Sequence, residues 1–384
     1  MPGEKINVLF LMIQMQMGGA ERLILSLARR LDRTCFAPSV GWFVQESPLK
    51  EFKELGIPLY FIPKRRRFDW SAVGRIRRIV KENRIGIINA HHFMPFFYAY
   101  LAAKAANGTK VVYTEHSESD VLSVTGKWRT AGRYLLRGCD ASIGVSGRVS
   151  GAIQTHFRLR SGEVHTIENG VDLDLFAEDA GAKERLKERF GFPSKDIIVG
   201  IVANFRKNKN HIFLLKAFLE VSRNREDAKL LLIGQGFPGD PESSESEISE
   251  FIRERGLRNK VYVMGYRSDV HEILRMTDIF CLVSYKEGLP IGLIEAMASG
   301  LPVIGTNVEG IREMIAPNRN GFIVDPDHVD ELAEALSLLI GNVELRRRMG
   351  EASRNIARER YSLGQCVDKT ETLFRSLQVQ RTER

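Results

Sequence analysis

Two glutamates, Glu287 and Glu295, stand eight positions apart in the stretch Ser284-Tyr285-Lys286-Glu287-Gly288-Leu289-Pro290-Ile291-Gly292-Leu293-Ile294-Glu295. The apolar run before them, residues 279–283, reads as a buried parallel strand. It breaks at Lys286-Glu287-Gly288, and Pro290 suits the first turn of a helix that Gly300 ends. Glu287 is thereby predicted in the loop above a strand end, and Glu295 one or two turns into the helix. Open α/β sheets bind ligands at the carboxyl ends of their strands, where free helix amides attract phosphate. A carboxylate in such a loop accepts hydrogen bonds from sugar hydroxyls, and one inside the helix accepts them from a ribose. The pattern predicts a nucleotide-sugar site.

The elements that must carry such a site alternate along the chain. Short apolar runs at 7–13, 39–43, 59–62, 85–89, 110–113, 141–145 and 164–167 predict strands, with helices between them, notably at 21–31, 70–83 and 127–137. The second half repeats the pattern at 197–202, 229–233, 261–264, 279–283, 302–305 and 321–324. Alternation of this kind predicts α/β domains with parallel, doubly wound sheets, two of them in tandem. The polar stretch 177–183 is the expected boundary. Residues 237–250, rich in Pro, Gly, Ser and acid, read as a mobile loop leading into a helix. The segment 362–378 reads as a final helix with Leu363, Val367, Leu373 and Leu377 on its apolar face.

At 384 residues and 43% hydrophobic composition the chain is long and apolar enough for two ordinary domains and is not a disordered one. No apolar run reaches the ~18 residues that a membrane span needs. The N-terminal run 8–13 lacks a basic leader and a small-residue cleavage site, so it reads as a strand and not as a signal peptide. Cys35, Cys139, Cys281 and Cys366 are far apart and make no metal spacing, which fits reduced thiols in a cytosolic protein. The formal charge is +8, concentrated in Lys64-Arg65-Arg66-Arg67 and in Arg75, Arg77, Arg78, Lys81 and Arg84. Val73, Ile76, Ile79 and Val80 mark a buried helix face that leaves those arginines in water. Such a patch is either a solvated face or a surface for anionic lipid; no nucleic-acid module surrounds it.

The span from Glu287 to Glu295, with its Glu-Gly-Leu-Pro start and Glu-Ala-Met-Ala-x-Gly-Leu-Pro-Val continuation, matches the E-x7-E motif of retaining glycosyltransferase family 4. Further matches follow the family's order: Gly18-Gly19-Ala20-Glu21, Asn89-Ala90-His91-His92, Thr114-Glu115-His116, Asn169-Gly170-Val171-Asp172, Gly265 to Asp269, and Asn320-Gly321 with the Phe-Ile-Val after it. The chain resembles that family over nearly its whole length. The resemblance implies the GT-B fold: two Rossmann-like domains facing across a cleft, with a C-terminal helix crossing back to the first. Residues 1–176, with the helix at about 362–384, would bind the acceptor, and residues 177–361 the nucleotide-sugar donor.

Site roles follow from the same resemblance. Glu287 would hold the donor sugar and Glu295 the ribose. Arg206, Lys209 and the amides of Gly288 and Leu289, just before Pro290, would hold the diphosphate, where fixed cations stabilise the charge that builds up as the sugar leaves. Many relatives carry the arginine five residues before the lysine; this chain has Asn204 there, so Arg206 stands in for it. Gly18-Gly19 is not a G-x-G-x-x-G; it is a plain strand–helix turn or a close approach to the donor phosphate or the acceptor. Gly265, Tyr266 and Arg267 would lay backbone groups against the base, bordered by Gly234. His116 matches the family's N-domain histidine, which would hydrogen-bond the transferred sugar or position the acceptor hydroxyl. His91 and His92 end another strand and are candidates for acceptor binding; they lack a third ligand at metal spacing. Asp172-Leu173-Asp174 reads as a hinge turn and not as a metal motif.

These readings describe a retaining transferase that moves a hexose-type sugar from a UDP- or GDP-sugar to an acceptor hydroxyl, with no metal or other cofactor. The expected acceptor is a lipid-linked glycan in polysaccharide or lipopolysaccharide synthesis. The expected place is the cytoplasmic face of an anionic membrane, held peripherally. The alternatives are a related enzyme without glycosyl transfer, such as a UDP-sugar 2-epimerase, and a non-catalytic module that binds nucleotide sugar or membrane.

Overall fold

Continuous apolar runs become parallel strands in both halves of the chain. The computed structural model describes residues 5–15, 18–44, 47–65, 68–104, 108–179, 181–237 and 239–379. The chain divides into one unit made of Met1–Asn169 with Leu363–Arg384, and another made of Gly170–Ser362.

The first unit holds β1 (Ile6–Gln14), β2 (Phe36–Val44), β3 (Leu59–Phe61), β4 (Ile85–His91), β5 (Lys110–Glu115), β6 (Ala141–Gly144) and β7 (Val164–Thr166). They form one sheet in the order β3-β2-β1-β4-β5-β6-β7, every pairing parallel. Val8, Leu9, Phe10 and Leu11 of β1 are all fully buried, as expected of a strand covered by helices on both faces. The second unit holds β8 (Ile197–Val202), β9 (Ala228–Ile233), β10 (Val261–Gly265), β11 (Ile279–Leu282), β12 (Val303–Thr306) and β13 (Gly321–Val324). Their order is β10-β9-β8-β11-β12-β13, again all parallel. Each sheet therefore reverses its direction of growth once, between β1 and β4 and between β8 and β11. Ligands of open α/β sheets bind outside the strand ends at such points.

The final helix, Leu363–Val379, belongs to the first unit. Glu371 accepts the backbone amide of Asp32 at 2.7 Å, and the ring of Phe374 meets that of Phe36 edge-on at 6.2 Å. Leu363, Val367, Phe374 and Leu377 are buried along it, while Leu373 is half-buried.

Two local expectations are corrected. The helix after Glu287 runs Ile291–Ala298, with Pro290 at the capping position (φ −72°, ψ 115°) instead of inside the first turn. In the helix Trp70–Glu82 the arginines are not all in water. Arg75 is half-buried and donates through Nη1 to the Pro63 carbonyl (2.8 Å) and the Ser71 hydroxyl (2.9 Å), whereas Arg77 and Arg78 are exposed. Arg66 and Arg67 lie outside the described residues.

Candidate functional site

In the second unit the loops after β8 and β11 meet. Lys209 ends a short 3-10 turn, Lys207–Lys209, and Asn210 follows it with φ +55°. The Lys209 Nζ lies 2.6 Å from Glu287 Oε1, and the Ser284 hydroxyl donates to the same oxygen at 2.6 Å. Both side chains are largely shielded, with 18% and 9% of their surface exposed, so water screens the pair weakly. Both donors converge on Oε1, which leaves Oε2 as the oxygen available to accept from a ligand.

Neighbouring elements fix this pair from three sides. The Thr306 hydroxyl, at the end of β12, donates to the Ser284 carbonyl at 2.6 Å. The Tyr285 amide donates to the Asn208 carbonyl at 2.8 Å, and its hydroxyl donates to Asp327 at 2.5 Å. Gly310, in the one-turn helix Glu309–Arg312, packs on the loop itself. A Cβ there would stand 2.3 Å from the Gly288 carbonyl oxygen and 2.6 Å from that of Glu287.

Glu295 is 8% exposed in its helix, and the first turn of that helix lies against the end of β8: a Cβ on Gly292 would be 3.0 Å from the Val202 carbonyl oxygen. Leu289 is buried ahead of it. The Arg206 carbonyl accepts the Lys209 amide at 2.9 Å, but the Arg206 side chain turns away from the Lys209–Glu287 pair. Its Nε donates to Asp240 at 2.6 Å, which carries it toward the loop after β9. Asn204 turns its Oδ1 into a buried position with no hydrogen-bond partner among the described residues. Gly234 and Gly265, at the ends of β9 and β10, are joined by a backbone hydrogen bond of 2.9 Å. Gly234 has φ +149°, and a Cβ on it would lie 1.8 Å from the Ala203 carbonyl oxygen, so only glycine fits. Arg267 is gripped by Asp269 through two hydrogen bonds of 2.8 and 2.5 Å, which leaves backbone as the natural contribution of this turn; Tyr266 is exposed.

In the first unit the ends of β1, β4 and β5 carry Gly18, Gly19 and three histidines. The Gly18 amide donates to Glu21 at 3.1 Å, capping the helix Gly19–Arg30. Beyond its chain neighbours and its own helix, no atom of the described residues lies within 4 Å of where a Cβ on Gly19 would be, so they do not demand glycine there. The β4–β5 register sets His91 level with Thr114, two residues before His116. His91 Nδ1 is 2.8 Å from His116 Nε2. His92, with φ +71°, directs Nδ1 at Glu115 Oε1 (2.8 Å) and lies 3.6 Å from Asp120. Glu115 also accepts from the Tyr113 hydroxyl (2.7 Å) and from the His116 amide (2.8 Å).

These contacts decide the charges. Burial opposes a charge on His92, but Glu115, then Asp120 and Glu21, outweigh it and raise its pKa to about 9. Burial first, and the His92 charge second, lower His91 to about 3 and push His116 well below the ordinary range. The cluster is one imidazolium beside two neutral rings.

Two expectations change here. His91 is fully buried and meets His116, so it is not a direct acceptor contact. The histidines do have carboxylates at ligand distance, because Glu115 and Asp120 converge on His92. His92 is hydrogen-bonded to Glu115 there at 2.8 Å. Asp172 and Asp174 lie at and within the 3-10 turn Leu173–Phe176, next to the junction of the two units.

Sequence reasoning missed Glu115, Ser284, Asp240, Asp327 and Gly310. The signal for Glu115 was its place between Thr114 and His116 at a strand end; nothing local marked the others.

Residues 17–175 match the family model described as Glycosyltransferase Family 4, and residues 182–356 match Glycosyl transferases group 1. The chain is 27% identical over 328 residues to the N-acetyl-alpha-D-glucosaminyl L-malate synthase of Bacillus anthracis, covering 84% of this chain and 83% of that protein. It is 22% identical over 399 residues to the UDP-Gal:alpha-D-GlcNAc-diphosphoundecaprenol alpha-1,3-galactosyltransferase of Escherichia coli, covering 98% of each. Among solved structures, Anabaena HepE in complex with UDP-glucose superposes with a TM-score of 0.83 at 21% identity, covering 96% of this chain and 99% of that one.

Proposed function

Because the chain belongs to glycosyltransferase family 4 and is a glycosyltransferase of GT-B type, we propose that it moves a hexose-type sugar from a UDP- or GDP-sugar to an acceptor hydroxyl with retention at the anomeric carbon. The observation that carries this reading is the convergence of Lys209 and Ser284 on one oxygen of Glu287, with Glu295 eight residues on, where the second sheet reverses. Glu287 accepts from sugar hydroxyls through Oε2, Glu295 from the ribose, and Lys209 and Arg206 face the diphosphate. The turns at Asn204, Gly234 and Gly265 to Arg267 border the base. Gly18 and Gly19 approach the donor phosphate or the acceptor, His116 meets the transferred sugar, and His92 is the histidine left for the acceptor.

In the transfer the bond from the anomeric carbon to the diphosphate oxygen breaks. A bond from the same carbon to the acceptor oxygen forms on the same face, and the acceptor's proton passes to the departing phosphate oxygen. No side chain need act as nucleophile, and two cationic side chains can neutralise the leaving group without a metal. One relative, named for a diphosphoundecaprenol-linked substrate, supports a lipid-linked glycan as acceptor. No helix among the described residues is long and apolar enough to cross a membrane. Exposed Arg77 and Arg78, with Trp70 67% exposed on the same helix, support peripheral attachment to an anionic, cytoplasmic membrane face.

The test is a panel of UDP- and GDP-sugars incubated with membrane lipid extract, with released nucleoside diphosphate and the anomeric configuration of the product measured, with and without EDTA. Release that depends on extract, a retained product and persistence in EDTA are expected. An inverted product, or complete loss in EDTA restored by manganese, overturns the corresponding part.

A further inference from the structure

The three histidines at the ends of β4 and β5 carry more than their positions. His91 has no exposed surface, and its ring stacks on that of His116 with centroids 5.1 Å apart and 24° between planes. The two rings share one hydrogen bond, Nδ1 of His91 to Nε2 of His116, at 2.8 Å. The other nitrogen of His91, Nε2, is buried with no hydrogen-bond partner among the described residues. Burial and the neighbouring His92 charge keep both rings neutral, so one proton lies in the shared bond and each ring keeps one bare nitrogen.

Only two arrangements satisfy this. If His116 donated from Nε2, His91 would carry its own proton on Nε2, where a buried N–H would point at nothing. If His91 donates from Nδ1, the unpartnered atom is a bare lone pair. Orphaned buried N–H groups are the rarer defect, and the second arrangement avoids one. It also leaves His116 with its proton on Nδ1 and its lone pair occupied.

We propose that His91 is a positioning residue that fixes His116 as the Nδ1–H tautomer, so that His116 meets the bound sugar as a hydrogen-bond donor and not as a base. The role of His116 toward sugar rests on the glycosyl transfer proposed above; the tautomer does not.

The tautomer is read directly from the unaltered protein. Long-range proton–nitrogen NMR spectra of 15N-histidine-labelled enzyme should show His116 with a protonated, pyrrole-type Nδ1 and an unprotonated, pyridine-type Nε2, and His91 likewise. The reverse pattern on either ring overturns the proposal. Turnover gives the second reading. His91→Leu removes the donor and should lower kcat/KM roughly tenfold, the scale of one neutral hydrogen bond, with nucleoside diphosphate affinity unchanged. His91→Asn places an amide N–H near the position of Nδ1 and should recover most of the loss. Equal activity in His91→Leu and the parent, or a His91→Asn variant as weak as His91→Leu, also overturns it. If no sugar is transferred under any condition, the spectra still decide the tautomer.

Discussion

Lys209 and Glu287 are 78 residues apart in the chain and 2.6 Å apart in the fold. On the proposed roles the lysine has two partners, the carboxylate it holds now and the phosphates of a donor. The carboxylate has a second oxygen free for a sugar. The pair ties the loops after β8 and β11 together before any ligand arrives, and under the proposed function part of the cost of orienting the donor is thereby met by the fold.

Separate roles for the two glutamates give separable phenotypes. Glu287→Ala should abolish transfer, by a factor of roughly 10² or more, while nucleoside diphosphate still binds. Glu295→Ala should weaken nucleotide binding itself. Calorimetry with nucleoside diphosphate alongside turnover distinguishes them, and normal turnover by Glu287→Ala would remove that residue from the site.

Gly310 tests whether the loop must sit where it does. A methyl group there would overlap the carbonyl oxygens of Glu287 and Gly288, which are backbone and cannot rotate away. Gly310→Ala should cost about 1–3 kcal/mol of stability and lower kcat by displacing Glu287. A variant with unchanged melting temperature and unchanged kcat would show that the loop is not positioned by this contact.

The histidines predict a dome in stability against pH. His92 is raised from 6.5 to about 9, so its contribution is fully present below pH 6.5 and is lost as pH rises through 9. His91 is lowered to about 3, and so is the buried His211 that opens the helix His211–Ser222, the latter by burial and then by Lys209. Their contribution is present above pH 6.5 and is lost as pH falls toward 3. Denaturant titrations across pH 4 to 10 should therefore lose stability on both sides of about pH 6.5. His92→Gln should flatten the alkaline limb and, by removing the charge that helps hold His91 and His116 down, make the acid limb shallower; an unaltered alkaline limb would contradict the ion pair with Glu115.

Arginines of one helix should behave differently at a membrane. Arg77→Glu with Arg78→Glu should release the protein from anionic vesicles without changing turnover of a soluble acceptor analogue. Arg75→Glu should instead lower the melting temperature, because Arg75 bonds the Pro63 carbonyl and Ser71. At physiological salt only charges within ~8 Å of the lipid contribute, so binding should weaken as salt rises. No sedimentation of the parent protein with anionic vesicles at low salt would leave the patch a solvated face.

Strands were the most legible part of the chain, because a buried parallel strand must be apolar throughout and therefore announces itself. The runs at 197–202 and 321–324 coincide with β8 and β13. The Glu287 loop was legible for a similar reason: the break after an apolar run and the proline before the next helix are local. What stayed hidden was long-range. A histidine ending a strand reads the same whether it faces solvent or a second histidine, and only the register of β4 on β5 decides that His91 is enclosed. Arg75 has the helical spacing of a surface residue, and its half-burial comes from the Pro63 carbonyl brought over it. Asp240 lies 34 residues beyond Arg206, in a loop with no periodicity to interpret.

The helix Leu363–Val379 completes the first unit from the far end of the chain. During synthesis the amide of Asp32 must wait for Glu371, 339 residues later, while Gly170–Ser362 emerges as one uninterrupted stretch. Domains usually fold in the order in which they leave the ribosome. Here the later one can be finished first, and the earlier one stands with an apolar groove uncovered until the last turns of helix arrive. A nascent chain stalled before Leu363 would expose Phe36 without Phe374.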